Sequence, residues 1–256
     1  MDDKPQRAVA EYLRAVMHSR RDVVRVGPFA AGFDAMSQNP AVNYAVPDAD
    51  AHPSTDDVVD LVRAFRERGL RPRLEYLPAT APRVRAALLA AGFVEEGTYP
   101  VMLANPQTFA DVPPPPGFQI RAPLVDSEFW QVRRAQNEAF GDGEPGPLEI
   151  LRLHALIRQG GLSRMAVSRA GEVAGGGDLT PAHGGIAEVA GIGVREPFRR
   201  RGVGQALTAA LVRAGFEQGL DRVWLTPAGP AEQRMYERVG FVAGGHALHI
   251  SLPAAR

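Results

Sequence analysis

Cysteine is absent from the 256 residues, which excludes disulfides, thiolate zinc sites, iron–sulfur clusters and a cysteine nucleophile together. A surplus of either charge is also missing, because Lys plus Arg and Asp plus Glu both total 29. A protein that coats nucleic acid needs extra cations to neutralise phosphates, so nucleic acid is not expected as a partner. Lysine occurs only at Lys4, and every other member of that cationic set is arginine. The longest apolar stretch, around Ala86 to Val94, falls far short of the ~20 residues a membrane span needs. Met1 to Arg7 contains no apolar run, so no secretory signal is expected. The six histidines (His18, His52, His154, His183, His246 and His249) show no ligand spacing such as H-E-x-x-H, and no metal is expected. These absences lead to the expectation of a soluble, cytoplasmic protein without a membrane partner.

What is present divides the chain. Pro113 to Pro116 is a run of four prolines, which fixes φ, removes four backbone donors and favours an extended strut. The expected organisation is therefore a domain over 1–104, a linker over 105–117 and a second domain over 118–256. In the latter, Phe118 to Arg121 reads as a strand and Asp126 to Ala139 as a helix. Pro147 to Gln159 reads as a helix whose buried stripe would be Leu148, Leu151, Ala155 and Leu156. Two strands follow, Met165 to Arg169 and Val173 to Leu179, then a third, Ile186 to Val194. The helix from Gly202 to Gln218 carries apolar residues at i, i+3, i+4, i+7, i+8 and i+11 from Val203. Arg222 to Thr226 is a strand, Ala231 to Val239 a helix, and Phe241 to Leu252 the last strand or two. The N-terminal part is sparser, with helices over Arg7 to His18, Asp56 to Arg68 and Pro82 to Ala91, and strands over Arg73 to Leu77 and Thr98 to Leu103.

One segment carries chemistry. A strand ends at Val194, Pro197 stops it, and Arg199-Arg200-Arg201-Gly202-Val203-Gly204-Gln205 opens the long helix. The first turn of a helix has amides without internal partners and roughly half a positive charge. Glycines let an anion come close to those amides, and arginines add countercharge. This pattern suits a pyrophosphate. A Walker A loop is excluded because no lysine stands there, and the dinucleotide fingerprint fails because Leu207 replaces its last glycine.

Arg199-Arg200-Arg201-Gly202-Val203-Gly204 fits the pattern R-x-x-G-x-G, and Met235-Tyr236-Glu237-Arg238-Val239-Gly240-Phe241 follows about 30 residues later. Together these motifs resemble those of the GCN5-related N-acetyltransferase (GNAT) family, and the resemblance covers residues 117 to 252. It implies an α/β (α+β) fold with a mixed, mostly antiparallel sheet flanked by helices. It implies acetyl-CoA as co-substrate, an N-acetyltransferase activity, and direct transfer to an amine in a ternary complex. Ile192, Gly193 and Val194 would then pair with the pantetheine arm. Arg199, Arg200, Arg201, Gly202, Val203, Gly204 and Gln205 would hold the pyrophosphate, and Tyr236 would protonate the departing thiolate. One departure is Pro230, where the family often has an asparagine that contacts the cofactor. A silent CoA-binding sensor or scaffold, and a nucleotide-binding module, remain as alternatives.

Amine acetylation needs a base, because an amine of pKa about 10.4 is neutral in about one molecule per thousand at pH 7. Glu188 is the candidate, on a strand whose alternation would set Glu188, Ala190, Ile192 and Val194 on one face; the other reading is a glutamate paired with an arginine. Either a small-molecule amine or a peptide amine can be the acceptor; the resemblance implies its entry near the loop Gly141 to Gly146, where Asp142 and Glu144 are either a cation-favouring pair or simply solvent-exposed.

An internal similarity completes the reading. Gly92-Phe93 and Gly240-Phe241 lie 148 residues apart, each between a helix and a strand. They are either two ordinary helix caps or the mark of a duplicated unit. In a duplication Leu88 stands where Tyr236 does, Asp48 and Asp50 replace the glycine loop, and the N-terminal domain is a degenerate, non-catalytic copy.

Overall fold

The computed structural model describes residues 4–20, 22–35 and 37–253. It divides into two compact units, Met1–Val101 with Ala243–Arg256, and Met102–Val242. Each is a sheet with helices, and each has one neighbouring strand pair that runs parallel.

The first unit begins with helix α1 (Lys4–His18), followed by strands β1 (Asp22–Val26), β2 (Phe29–Phe33) and β3 (Tyr44–Pro47). Helix α2 (Thr55–Arg66), strand β4 (Arg73–Tyr76), helix α3 (Pro82–Ala90) and strand β5 (Val94–Ala104) complete its continuous part. β1, β2 and β3 form an antiparallel meander, and β3 then pairs with β4 in parallel. The meander was not legible as strands from pattern alone, although Gly27-Pro28 between two apolar runs is a turn signal. Phe29, Ala31, Ala45, Leu74 and Tyr76 face α2 and α3 in the main core, while Ala30, Tyr44 and Val46 face Leu13 and Met17 of α1.

The second unit holds β6 (Phe118–Arg121), α4 (Asp126–Phe140), α5 (Pro147–Arg158), β7 (Leu162–Ser168), β8 (Val173–Leu179) and β9 (Ile186–Val194). After these come α6 (Val203–Glu217), β10 (Arg222–Leu225) and α7 (Pro230–Glu237). β6, β7, β8 and β9 are antiparallel neighbours, and β9 pairs with β10 in parallel. The last strand, β11 (Val242–Ser251), pairs antiparallel with β4 and counts almost wholly in the first unit. Conversely, the last three residues of β5, Met102 to Ala104, pair antiparallel with β10 in the second.

Three expectations change here. Residues 243–256 belong with the first unit, because β11 completes the edge of β4 rather than that of β10. Residues 105–117 belong to the second unit and lie along α6 instead of forming a free linker. Phe109 packs edge-on to Phe216 at 5.6 Å, Asp111 takes both its oxygens to Arg213, and the Ala110 amide donates to the Val239 carbonyl. The buried stripe of α5 is Ile150 and Leu153, whereas Leu148 and Leu151 are 41% and 61% exposed. Both stripes fit helical spacing, and packing of Ile150 and Leu153 against Phe129 of α4 selects between them.

Among the described residues, no helix is long and apolar enough to cross a membrane, and no group of three or more His, Asp or Glu side chains is placed to hold a metal ion.

Candidate functional site

The parallel pair of the second unit is short. Arg222, Val223 and Trp224 of β10 face Ile186, Ala187 and Glu188 of β9, and the register ends there. β9 continues for six residues along β8 alone. Its edge past Glu188 is therefore open on the β10 side, where a chain with amides can pair.

β9 is also bent. Asp178 of β8 faces Ala190, yet Gly176 faces Gly193, so β9 carries one extra residue between these pairs. Gly191 occupies the bulge with φ +62°, a left-handed conformation that glycine adopts without a Cβ penalty. The bulge overturns the expected alternation. Ala187 and Val189 pack on α6, and Ile192 and Val194 pack on Val203 and Leu207 of the same helix. Asp178 and Ala190 are paired on the other face, so Glu188, two residues before Ala190, also lies there. Glu188 is thus on the opposite face from Ile192 and Val194. It is half-buried, and its backbone exchanges hydrogen bonds with Thr180.

Past β9 the chain makes a short 3-10 turn over Glu196–Phe198 and then alternates hands. Arg200 has φ +59° and Gly202 has φ +82°, the latter as the residue before α6. For arginine this conformation costs of order 1–2 kcal/mol, and alternation of this kind turns successive N–H groups towards one concavity. Among the described residues, none of the amides from Arg200 to Gln205 has a hydrogen-bond acceptor; the first satisfied amide is that of Ala206, on the Gly202 carbonyl at 3.0 Å. Six donors without acceptors thus stand at the dipole end of a 15-residue helix.

The arginines divide their work. The Arg199 guanidinium donates to the Val194 carbonyl at 2.9 Å and the Ala139 carbonyl at 3.0 Å, fastening the loop to the end of β9 and to α4. Two of its five donors are used on structure, so Arg199, Arg200 and Arg201, all exposed, can add countercharge. Gly204 also has a different reason from the one expected. A Cβ there would meet the Met235 sulfur at 3.2 Å and Val194 at 3.5 Å, so this glycine lets α6 approach α7 and β9. Gly202 looks outward, with only Pro115 near, at 3.9 Å from its would-be Cβ.

Tyr236, on α7, is 8% exposed and packs within the cluster of Val239, Phe241 and Leu225. Burial, reinforced by Glu232, pushes its phenol up to about 12. No group among the described residues hydrogen-bonds its hydroxyl, which is not sealed from solvent. The tyrosine is therefore a permanent proton carrier at neutral pH. Pro230 occupies the first turn of α7, behind Gly229, with no side-chain cap.

The sequence reading passed over Gln136 of α4 and Asp178 of β8, both buried. Gln136 donates through Nε2 to the Gly191 carbonyl at 2.8 Å and to Asp178 at 3.2 Å. Arg133 bridges the two, reaching Gln136 Oε1 and Asp178 Oδ2 at 2.9 Å each. The signal that was available is glycine density, since Gly175 to Gly177 stand on β8 and Gly191 and Gly193 on β9, with Gly176 facing Gly193 across the ladder.

Residues 129–241, somewhat under half of the chain, match the acetyltransferase (GNAT) family. Among curated proteins no sequence relative matches. A GCN5-related N-acetyltransferase from Kribbella flavida has a similar structure, with 20% identity, a TM-score of 0.77, and 96% of this chain and 95% of that one covered. A GCN5-related N-acetyltransferase from Sphaerobacter thermophilus follows at 19% identity and TM-score 0.64, covering 90% and 78%. A tandem GNAT protein from the clavulanic acid biosynthesis pathway aligns at 12% identity and TM-score 0.63, covering 100% and 97%. At these identities the likeness is one of fold.

Proposed function

We propose, for a chain whose residues 129–241 form a domain of the acetyltransferase (GNAT) family, that it transfers an acetyl group from acetyl-CoA to a primary amine, with the second unit as the catalytic one. The observation that carries this reading is the set of six unaccepted amides from Arg200 to Gln205, past the end of β9, the strand that parts from β10 after Glu188. A pyrophosphate supplies the acceptors those amides lack. Arg200 and Arg201 add charge, and the open edge at Ile192 and Val194 suits the two amides of a pantetheine arm. Gly193 keeps that edge close to α4. Acetyl-CoA supplies a thioester, an acyl group already activated towards amines.

The chain's own task is to manage protons. Glu188 is the base that takes the proton of the ammonium, directly or through water. Tyr236 is the donor to the leaving sulfur. A phenol at about 12 is a weaker acid than an ordinary thiol of pKa about 8.5. Complete transfer from tyrosine to thiolate is therefore uphill, and the residue acts chiefly as a hydrogen-bond donor that stabilises developing charge. With no cysteine in the chain, direct attack in a ternary complex is the simplest route.

The first unit is read as a degenerate copy without a co-substrate site, making the chain a tandem arrangement. The working compartment is taken to be the cytoplasm, and the acceptor a small-molecule or peptide amine. Incubation of the full chain with acetyl-CoA and a panel of amines, following free thiol and acetylated product, tests the reading. Amine-dependent thiol release supports it. Tight acetyl-CoA binding without turnover on any amine favours a CoA-binding sensor instead, and absence of binding removes both.

A further inference from the structure

The bulge in β9 has a dedicated holder. Gln136 lies in a slot cut by three glycines: a Cβ at Gly191 would stand 2.9 Å from Gln136 Nε2, one at Gly193 3.1 Å from Gln136 Cα, and one at Gly176 3.4 Å from Gln136 Cγ. Its amide nitrogen spends both hydrogens, on the Gly191 carbonyl and on Asp178 Oδ2. Its oxygen accepts from Arg133, which also pairs with Asp178. The side chain therefore has one rotamer and one orientation open to it. Asp178 is 4% exposed, and its Oδ1 has no partner among the described residues. A buried carboxylate of this kind is a cost that a folding core does not need, since apolar residues of like volume pack there as well or better. What the cluster achieves is a fixed position for one carbonyl, that of the bulge residue.

We propose that Gln136, oriented by the Arg133–Asp178 pair, is a positioning residue that sets the bend of β9 for the thioester end of acetyl-CoA. This rests on the reading of the second unit as an acetyl-CoA site. The bulge is what moves Ile192 and Val194 onto the α6 face while Glu188 stays on the face of α4. Without it the base and the pairing edge would share one face. Turning the Gly191 carbonyl towards α4 also keeps it out of the gap, where an acceptor oxygen would repel a thioester carbonyl.

The amide nest lies beyond the end of β9 and is built from Arg200 to Gln205, none of which is hydrogen-bonded to Gln136. Two probes therefore separate the two regions: acetyl-CoA, which spans both, and adenosine 3′,5′-bisphosphate, which carries phosphates but no thioester. Calorimetry on full-length Gln136→Leu should show acetyl-CoA affinity falling about tenfold or more with the bisphosphate within about twofold of wild type. Equal losses for both probes, or no loss for either, would overturn the proposal. If wild type binds neither probe, the acetyl-CoA reading fails first. Should Gln136→Leu not fold, Gln136→Glu decides. Its buried carboxyl, raised in pKa by burial and by Asp178 and lowered by Arg133, can donate to Gly191 only when protonated. Acetyl-CoA affinity relative to wild type should then be higher at about pH 5 than at about pH 8. An unchanged ratio would overturn the proposal.

Discussion

The two units repeat one backbone device and give it opposite surroundings. At the end of α3 the amides of Ala91 and Phe93 donate to the Leu88 carbonyl, and at the end of α7 those of Val239 and Phe241 donate to the Tyr236 carbonyl, each at the same offset of 148. Gly92 and Gly240 are both left-handed, with φ +85° and +93°. Both units have a parallel strand pair, its two strands joined through α2 in the first and through α6 in the second. There the likeness stops. In the second unit the helix start has open amides; in the first it is closed by its own side chains. Ser54 Oγ accepts from the Asp57 amide, and the Asp57 carboxylate accepts from the Ser54 amide at 2.8 Å. The gap after β3 is filled as well. Ala10 and Leu13 of α1 lie against Val46, Pro47 and Tyr76, and the remaining space is about 10 Å³, room for roughly one water. The helix-capping turn is common to both units, whereas the start of α2 is closed by the Asp57 carboxylate and the space after β3 by Ala10 and Leu13.

The strongest test of that contrast is Tyr236→Phe against Leu88→Tyr. The first should lower turnover by about 10²–10⁴, the scale of a lost proton donor, with acetyl-CoA affinity unchanged. The second should add nothing, because Leu88 is fully buried in the core of α2 and α3. Thiol release from pH 6 to 10 is the measurement. Since the phenol is pushed up to about 12, any alkaline limb below that range belongs to another group. Full activity in Tyr236→Phe removes the tyrosine from the reaction.

A second test acts on the nest. Arg200→Glu with Arg201→Glu should weaken acetyl-CoA binding by about tenfold or more and flatten its salt dependence, since charge near phosphates is screened within about 10 Å at moderate salt. Both side chains are exposed, so the fold should be untouched, as circular dichroism can verify. Gly204→Asp is unsuited to this purpose, because its new side chain would strike Met235. Unchanged affinity in the double variant would mean that the pyrophosphate lies elsewhere.

Much of this contrast was legible without coordinates. The order of helices and strands from Phe118 onward and the glycine loop follow from periodicity and helix-end chemistry, and Tyr236 was singled out by the resemblance of its segment to a family motif. The acidic residues after β3 already argued against phosphate there. Three features were not legible, each for a physical reason. Alternation holds only for an unbroken ladder, and Gly191 breaks it, so the face of Glu188 could not be read. A proline run marks extended backbone but not what that backbone lies on, and here it lies on α6. Gln136 and Asp178 are polar residues on elements whose buried face is otherwise apolar or glycine, and only contact reveals them.

A third test uses alkaline stability to ask whether Tyr236 is as buried in solution as its surroundings imply. The phenol is neutral when protonated, and its folded value of about 12 exceeds the usual value of about 10. The folded chain therefore holds the proton more tightly, which stabilises it fully below about pH 10 and progressively less as pH rises towards about 12. The loss is of order 2–3 kcal/mol at its end. Urea unfolding of wild type and Tyr236→Phe should diverge only above about pH 10, with wild type losing ground. Parallel curves would mean an exposed phenol.

The smallest expected effect tests the closed helix start of the first unit. Ser54→Ala removes a side-chain acceptor from the Asp57 amide and half of a reciprocal pair, which should cost about 1 kcal/mol of stability. The Ser54 hydroxyl and amide hold the Asp57 carboxyl below its ordinary range. In wild type that contribution is present above the ordinary carboxylate pKa of about 4 and is lost as pH falls below it. Ser54→Ala should therefore show its largest deficit at neutral pH and a smaller one in acid, where the lost acceptor of the Asp57 amide remains. Acetyl-CoA affinity should stay the same at both ends, because opening one helix start in the first unit still leaves Leu13 across its gap. If Ser54→Ala gains a second acetyl-CoA site by calorimetric stoichiometry, the capping box alone was what kept the first unit empty, and α1 is not the plug.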